Sequence, residues 1–149
     1  MTRNVLLAIP SYSPDDSGFQ SPVGETYTYW EKIISYFLTK ADTVEIHCWK
    51  DEKAAINELK EFEGKTVMTD DGDLCIFTEK KTPALSDFLI KNHVTNGRLK
   101  WFTVNLISSG ETVLHSCHWG TELSVYGLSE EDLAFITKIV PSETDFTWW

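Results

Sequence analysis

The pentapeptide HSCHW holds the densest group of potentially reactive side chains in the sequence. Side chains alternate between the two faces of a β-strand, so His115 and Cys117 are predicted to share a face and His118 to take the other. Imidazole and thiolate are both zinc ligands, and a third ligand from elsewhere would complete a site. The other candidate pair, His47 and Cys48, points to opposite faces, and paired ligands at short spacing are absent. The sequence therefore predicts hydrogen-bonded histidines and a packed thiol, with no metal or other cofactor.

Nucleophilic catalysis is the second chemistry that these residues suggest. Cys117 would need an oriented base, for which His47 and His93 are the candidates. The thiol lies in the middle of a predicted strand, however, and not on a strained turn or at a helix N-terminus that would lower its pKa. The sequence also contains no GxSxG motif and no Gly-rich phosphate motif. We therefore predict no catalytic residues. A small enzyme that uses the His and Cys side chains of the central sheet, chiefly His115, Cys117 and His118, is the alternative.

The run Asp70, Asp71, Gly72 and Asp73 has the composition of a calcium loop but not its length. Such a loop spreads about six oxygen ligands over roughly twelve residues. Here a predicted strand begins immediately at Leu74, and Asp-Gly between two strand-like runs is a strong hairpin signal. The pattern predicts an acidic hairpin turn that binds no metal.

The chain of 149 residues is strongly acidic. It has 23 Asp and Glu residues against 13 Lys and Arg residues, a formal net charge of −10 and a pI near 4.7. This charge repels nucleic-acid backbones and anionic membranes, so binding to either is not expected. It favours a basic protein partner, whereas the simplest alternative is that the charge only maintains solubility.

The acidic surplus is greatest in residues 51–63 and from Ser129 to the C-terminus, where three aromatic residues follow the acids. Tryptophan is over-represented at binding hot spots, and carboxylates around an aromatic anchor suit a basic partner. The predicted partner-binding residues are Glu130, Glu131, Asp132, Asp145, Trp148 and Trp149, with Asp70, Asp71 and Asp73 as a second candidate group. The alternative is that Phe146, Trp148 and Trp149 fold back and close the open end of the core.

Apolar spacing and capping signals predict four helices, over residues 25–40, 51–62, 83–94 and 129–140. Strands are predicted at residues 4–9, 43–49, 66–69 and 74–78, the first of them buried on both faces. Residues 10–24 are rich in Pro, Gly and Ser and are predicted to form a long loop.

Residues 98–127 predict a meander of three antiparallel strands, with turns at residues 108–110 and near Gly120. With the helices, this pattern predicts one α+β domain over residues 1–149, in which a mixed sheet packs against about four helices. Three cysteines without paired spacing favour reduced thiols. No signal peptide and no stretch of about 20 apolar residues is evident, so a soluble cytoplasmic protein is predicted.

A small, acidic, Trp-rich chain without catalytic motifs is typical of a stoichiometric binding protein. In size and charge alone, it resembles the immunity or antitoxin proteins that neutralise basic, nuclease-like bacterial toxins. That resemblance implies an acidic face that covers the substrate-binding cleft of a basic toxin domain. Phage anti-defence proteins share the same general profile, and a subunit of a homo-oligomer is a further alternative.

Overall fold

A computed structural model of the protein describes residues 3–12, 21–22, 27–95 and 97–149. These ranges contain four helices: α1 (Thr28–Leu38), α2 (Lys53–Leu59), α3 (Pro83–Lys91) and α4 (Glu130–Ile139). They also contain twelve strands: β1 (Arg3–Ala8), β2 (Ser11–Tyr12), β3 (Ser21–Pro22), β4 (Thr43–Trp49), β5 (Lys65–Met68), β6 (Leu74–Lys80), β7 (Val94–Thr95), β8 (Arg98–Leu99), β9 (Thr103–Ser108), β10 (Glu111–Cys117), β11 (Glu122–Leu128) and β12 (Asp145–Trp148). Eight strands form one sheet in the order β12-β1-β11-β10-β9-β4-β6-β5, and the others pair as the hairpins β2-β3 and β7-β8.

Every neighbouring pair in the eight-stranded sheet is antiparallel. The predicted α+β class, the four helices and the β9-β10-β11 meander are confirmed, and the sheet is antiparallel throughout where a mixed sheet was expected. Burial alternates along β1, where Val5 and Leu7 are buried and Leu6 and Ala8 are only partly buried. The prediction that this strand is buried on both faces was wrong, because helices cover only one side of it.

One face of the sheet packs against the helices and forms the core. A row of buried side chains in register crosses this face on six adjacent strands: Leu7, Leu123, Ser116, Val104, Ile46 and Phe77. All four helices contribute to the same buried cluster, chiefly through aromatic and aliphatic side chains. Trp30 of α1 is 1% exposed, and its indole N–H donates to the Leu89 carbonyl of α3 at 2.9 Å. Burial of each such side chain stabilises the fold by about 1.5–3 kcal/mol.

Two of the four helices, α3 and α4, begin where local capping chemistry predicts, whereas α1 and α2 have no side-chain cap and α2 is shorter than the predicted helix at residues 51–62. Thr82 accepts a hydrogen bond from the Leu85 N–H, and Pro83 occupies the first turn of α3. Ser129 and Asp132 form a reciprocal capping box at the start of α4, with hydrogen bonds of 3.1 and 3.0 Å. Thr82 and Pro83 therefore confirm the predicted start of α3. Ser129 and Asp132 confirm the predicted start of α4.

Three predicted segments differ from the structure. The third helix ends at Lys91 and not at residue 94, because Val94–Thr95 pairs with Arg98–Leu99 as a hairpin. The C-terminal tail adds an edge strand, Asp145–Trp148, beside β1. Of its three aromatic residues, Phe146 packs against the core, whereas Trp148 and Trp149 are exposed. Of the predicted loop at residues 10–24, the structure describes the short pairing of β2 with β3, and residues 13–20 and 23–24 lie outside the described residues.

The opposite face of the eight-stranded sheet is not covered by any of the four helices described above, and we call it the helix-free face. One row in register on this face consists of Thr147, Leu6, Ser124, His115, Asn105, Glu45, Thr78 and Lys65. The adjacent row includes Asp145, Ala8, Glu122 and Cys117. The same strands thus present an apolar row to the helices and polar rows to the other side.

Candidate functional site

The centre of the helix-free face is a hydrogen-bonded chain of polar side chains from β4, β9 and β10. Glu45 Oε1 lies 2.7 Å from His47 Nε2 and accepts from Asn105 Nδ2 at 3.1 Å. Asn105 Oδ1 in turn lies 2.5 Å from Nδ1 of His115. Because Oδ1 can only accept, His115 Nδ1 carries the hydrogen, and its Nε2 is the acceptor atom of the neutral ring. These hydrogen bonds hold the imidazoles of His47 and His115 in fixed orientations on the sheet.

Burial lowers the pKa of His115, and the neighbouring His47 lowers it further, against opposing contributions from Glu122 and Glu45. His115 is therefore a neutral imidazole at pH 7, with a lone pair on Nε2. A neutral ring is able to accept a proton or a metal ion.

A second cluster lies beside the first, at the end of β10. Cys117 Sγ is 3.6 Å from His118 Nδ1 and 3.6 Å from Glu122 Oε2, and His118 Nδ1 is 3.3 Å from Glu122 Oε1. Burial raises the pKa of the Cys117 thiol to about 12, with a further contribution from Glu122. In this state the thiol is protonated at neutral pH and donates to the Glu122 carboxylate, so it is not an activated nucleophile.

The position of His118 corrects the prediction from strand alternation. The strand ends at Cys117, and His118 and Trp119 both adopt left-handed backbone conformations, with φ of 52° and 54°. This turn brings the imidazole back toward Cys117 and Glu122, on the helix-free face. Left-handed geometry costs roughly 1–2 kcal/mol for each such residue. Tertiary contacts hold the turn, including the Trp119 indole N–H, which donates to Glu52 at 3.0 Å.

Gly120 completes this turn, at a position where a side chain would be strained. Its φ is +82°, and a Cβ atom there would lie 3.0 Å from the Leu99 side chain. Its carbonyl accepts a hydrogen bond from Tyr29 of α1 at 2.6 Å. The predicted turn near Gly120 is confirmed, and it is anchored to the core.

A cleft of about 820 Å³ opens beside the same turn, between α2 and residues 98–102. Its walls include the aromatic side chains of Trp49, Phe102 and Trp119, and His118 lies at its border. Burial raises the pKa of Glu52 in the cleft, although hydrogen bonds from Trp119 and from the Trp49 backbone oppose the shift. An aromatic cleft of this volume with a few polar groups has the features of a small-molecule site.

Among the predicted partner-binding residues, Asp132 is internal and does not belong to an exposed face. It is 4% exposed, caps α4 and accepts hydrogen bonds from Lys40 and Tyr36. Burial raises its pKa, but the hydrogen bonds from Lys40 and Ser129 outweigh burial and hold it at about 2. The carboxylate therefore stabilises the junction between α1 and α4.

The remaining residues of the first predicted group separate onto two sides of one sheet edge. Glu130 and Glu131 are exposed at the start of α4, and Glu130 lies 4.0 Å from Arg3, whose guanidinium stacks over Trp148 at 4.5 Å. Asp145 lies instead on the helix-free face, in the row that contains Glu122. Trp149 is 59% exposed and contacts the Tyr126 ring edge to face at 5.9 Å.

The second predicted group lies at the opposite edge of the sheet. Asp70, Asp71 and Asp73 form the turn between β5 and β6, which confirms the hairpin. Asp71 accepts from Thr69 and from the Asp73 N–H, and Asp73 forms an ion pair with Lys50 at 3.1 Å. Seven strand spacings of about 4.8 Å place β5 roughly 34 Å from β12, so the two acidic groups do not form one surface.

Four polar residues of the helix-free face were not among the predicted site residues: Glu45, Asn105, Glu122 and Tyr126. Alternation within each strand indicated which residues of that strand lie on the same face. Their assembly depends on strand order and register, which local sequence patterns do not specify.

The fold and these clusters define the class: an α+β protein whose eight-stranded antiparallel sheet has helices on one face and a polar network on the other. No protein-family model, curated protein or solved structure matches the chain significantly. None of the helices in the described ranges is both long and apolar enough to cross a bilayer.

Proposed function

We propose that the protein is a stoichiometric inhibitor of a basic, nuclease-like toxin domain, of the immunity or antitoxin type, and that it binds through the helix-free face. One observation carries this proposal. On the six adjacent strands from β12 to β4, the described residues of this face include the carboxylates of Glu45, Glu122 and Asp145 but no Lys or Arg. The cations that alternation places on this face, Lys65 and Lys80, lie on the last two strands.

The dimensions of the face support a protein partner. Eight strands at a spacing of about 4.8 Å and about six residues long cover roughly 700 Å² in projection. A specific interface of standard size buries about 800 Å² on each partner. The helix-free face is therefore close in size to one side of a standard interface.

Aromatic side chains at the rim supply the contacts that would slow dissociation. Tyr126 and Trp149 lie at the β12 side of the face, and both are exposed. Tyr and Trp are enriched at hot spots, where truncation of one side chain costs at least about 2 kcal/mol of binding free energy. Carboxylates accelerate encounter with a basic partner, and the aromatic pair then prolongs the complex.

Affinity capture from the producing cells, followed by mass spectrometry, identifies the partner, and association kinetics then test the face. The charge reversals Glu122→Lys and Asp145→Lys together should slow association at least about tenfold at low salt, an effect that salt should reduce. The matched control is the double variant Glu61→Lys and Asp87→Lys, which makes the same charge change at exposed positions of the helical side.

Equal slowing in both double variants would show that only net charge matters and would refute the proposed face. A captured partner that is not basic, or association rates insensitive to both salt and charge reversal, would refute the electrostatic mechanism. A partner from a host defence system would assign the protein to the anti-defence alternative, and capture of only the chain itself would assign it to a homo-oligomer.

A small enzyme is the second candidate function, because the cleft of about 820 Å³ borders His118. This position would place an imidazole between a substrate pocket and the Cys117–Glu122 pair. Thiol titration is a discriminating measurement. A protonated, unreactive Cys117 at pH 8 agrees with its raised pKa and argues against thiolate catalysis, and rapid alkylation at that pH would favour it.

A further inference from the structure

The geometry points to a divalent metal site formed by Cys117, His118 and Glu122 at the end of the helix-free face, with Zn²⁺ as the preferred ion. The three side chains offer one thiol sulfur, one imidazole nitrogen and one carboxylate, and their ligand atoms lie within 4.8 Å of one another. This inference concerns the free chain and does not rest on the proposed function, although Glu122 belongs to both the metal site and the proposed partner-binding face.

The distances between the ligand atoms are close to those of tetrahedral zinc. Bonds of about 2.3 Å to sulfur and about 2.0–2.2 Å to nitrogen and oxygen require ligand atoms roughly 3.3–3.7 Å apart. The sulfur lies 3.6 Å from the nitrogen and 3.6 Å from Oε2 of Glu122, and the nitrogen lies 3.3 Å from Oε1 of Glu122. The sulfur, the nitrogen and the carboxylate therefore form a triangle that a zinc ion could occupy after a small rotation of the carboxylate.

The chemistry of the donor set selects among the common divalent ions. Calcium and magnesium prefer six or more oxygen ligands, and only one of these three side chains supplies oxygen. A thiolate and an imidazole are the ligands that zinc prefers, and three protein ligands leave a fourth position for water.

The backbone gives independent support, because the site depends on a turn with a conformational cost. His118 reaches Cys117 and Glu122 only because residues 118 and 119 adopt left-handed conformations. Strained non-Gly residues of this kind cluster at functional sites. The His118 carbonyl accepts from the Thr121 hydroxyl at 2.9 Å, which further fixes the turn.

The hydrogen-bonded network of Glu45, Asn105 and His115 lies beside the three ligands. His115 is on the same strand face as Cys117, two residues away, and its Nδ1 is hydrogen-bonded to Asn105. Glu45, at the far end of this network, can be altered without touching a ligand.

Titration of the purified, metal-free chain with Zn²⁺ and with Co²⁺ tests the site. We expect one ion per chain, and for Co²⁺ a sulfur-to-metal charge-transfer band together with the visible bands of tetrahedral cobalt. The variants Cys117→Ser, His118→Asn and Glu122→Gln should each weaken Zn²⁺ binding more than about 100-fold, since loss of a ligand exceeds loss of a supporting residue. Asn is chosen at residue 118 because it tolerates the left-handed backbone.

Two matched variants on the same face serve as controls. His47→Gln removes an imidazole and Glu45→Gln removes a carboxylate outside the triangle, and each should change Zn²⁺ affinity less than about tenfold. Circular dichroism confirms that each variant is folded. If one ligand variant fails to fold, the other two and the cobalt spectrum of the wild-type chain still decide the question.

Binding of less than one ion per chain, a cobalt complex without the sulfur band, or equal loss of affinity in the control variants would overturn the inference. The sulfur band is specific for this site among the three cysteines, because Cys48 and Cys75 are buried on the helix side of the sheet. Failure of metal binding would leave the partner-binding proposal unaffected, and failure to find a basic partner would leave the metal site intact.

Discussion

The two faces of the central sheet are built from the same strands but differ in almost every physical property. On β9, Val104 and Leu106 are fully buried under the helices, whereas Asn105 between them is only partly buried and bonds to Glu45 and His115. The helix side contains the core, and the helix-free side contains the imidazoles of His47, His115 and His118, the half-buried thiol of Cys117 and three carboxylates.

This difference separates the residues that stabilise the fold from those that are available for binding. An apolar face must be covered, and the helices cover it. A polar face stays in contact with water, and a partner or an ion can replace that water. The comparison predicts that substitutions of equal size on alternate residues of one strand will have very different consequences, and four measurements test it.

The largest effect is expected from Leu106→Ala. It leaves a cavity under the helices and should lower the free energy of unfolding by about 2–5 kcal/mol, measured by urea denaturation. The adjacent substitution Asn105→Ala removes hydrogen bonds on the other face and should cost only about 1 kcal/mol. Equal costs for the two variants would contradict the asymmetry between the faces.

The next effect is expected from Asp132→Asn, on the helix side. The native pKa of about 2 lies below the ordinary value of 3.8, so the ionised carboxylate stabilises the folded state above pH 4. That contribution, at most about 2 kcal/mol, is lost as pH falls from 4 toward 2. The variant should therefore be less stable than the wild type at pH 7 and equally stable near pH 2. A constant difference across this pH range would show that the ionised form is not the stabilising one.

A smaller effect, with the same direction of pH dependence but at higher pH, is expected on the helix-free face. Burial lowers the pKa of His115, so protonation favours the unfolded chain as pH falls below its ordinary value of 6.5. The variant His115→Gln should remove this loss of stability between pH 6.5 and 5, measured by thermal denaturation at both pH values. His93, whose pKa is also lowered by burial, stays in both proteins and cancels in the comparison. An unchanged pH profile would show that the pKa of His115 is the same in the folded and the unfolded chain.

The smallest effect is expected from Val67→Thr on the edge strand β5. Val67 is 61% exposed, so this exchange should change the free energy of unfolding by no more than about 0.5 kcal/mol. Val44→Thr makes the same exchange at a fully buried position and places a hydroxyl in the core, at a cost of about 1–3 kcal/mol. Similar values for the two variants in urea denaturation would show that β5 is not an exposed edge.

The parts of the fold that the sequence predicted are those specified by neighbours along the chain. Asp-Gly at residues 71–72 specifies a hairpin, and the capping side chains of Thr82 and Ser129 mark helix starts, because these signals act over four residues or fewer. The apolar spacing of α1 likewise predicted which side of that helix is buried.

The sheet edge and the site were not predictable in this way. The strand β12 forms because β1 offers it a hydrogen-bonding edge, a partner more than 130 residues away in the sequence. The sequence also predicted His118 on the wrong face, since alternation ends where the chain enters a left-handed turn held by Trp119 and Glu52.

The sequence by itself therefore determined the α+β class, the positions of the helices, the hairpin and the acidic charge. Only the tertiary structure decided that Asp132 is internal, that the two acidic groups lie at opposite edges of the sheet, and that Cys117, His118 and Glu122 meet. The physical reason is range: caps, turns and periodicity are local interactions, whereas strand order and register follow from burial of the whole sheet against its helices.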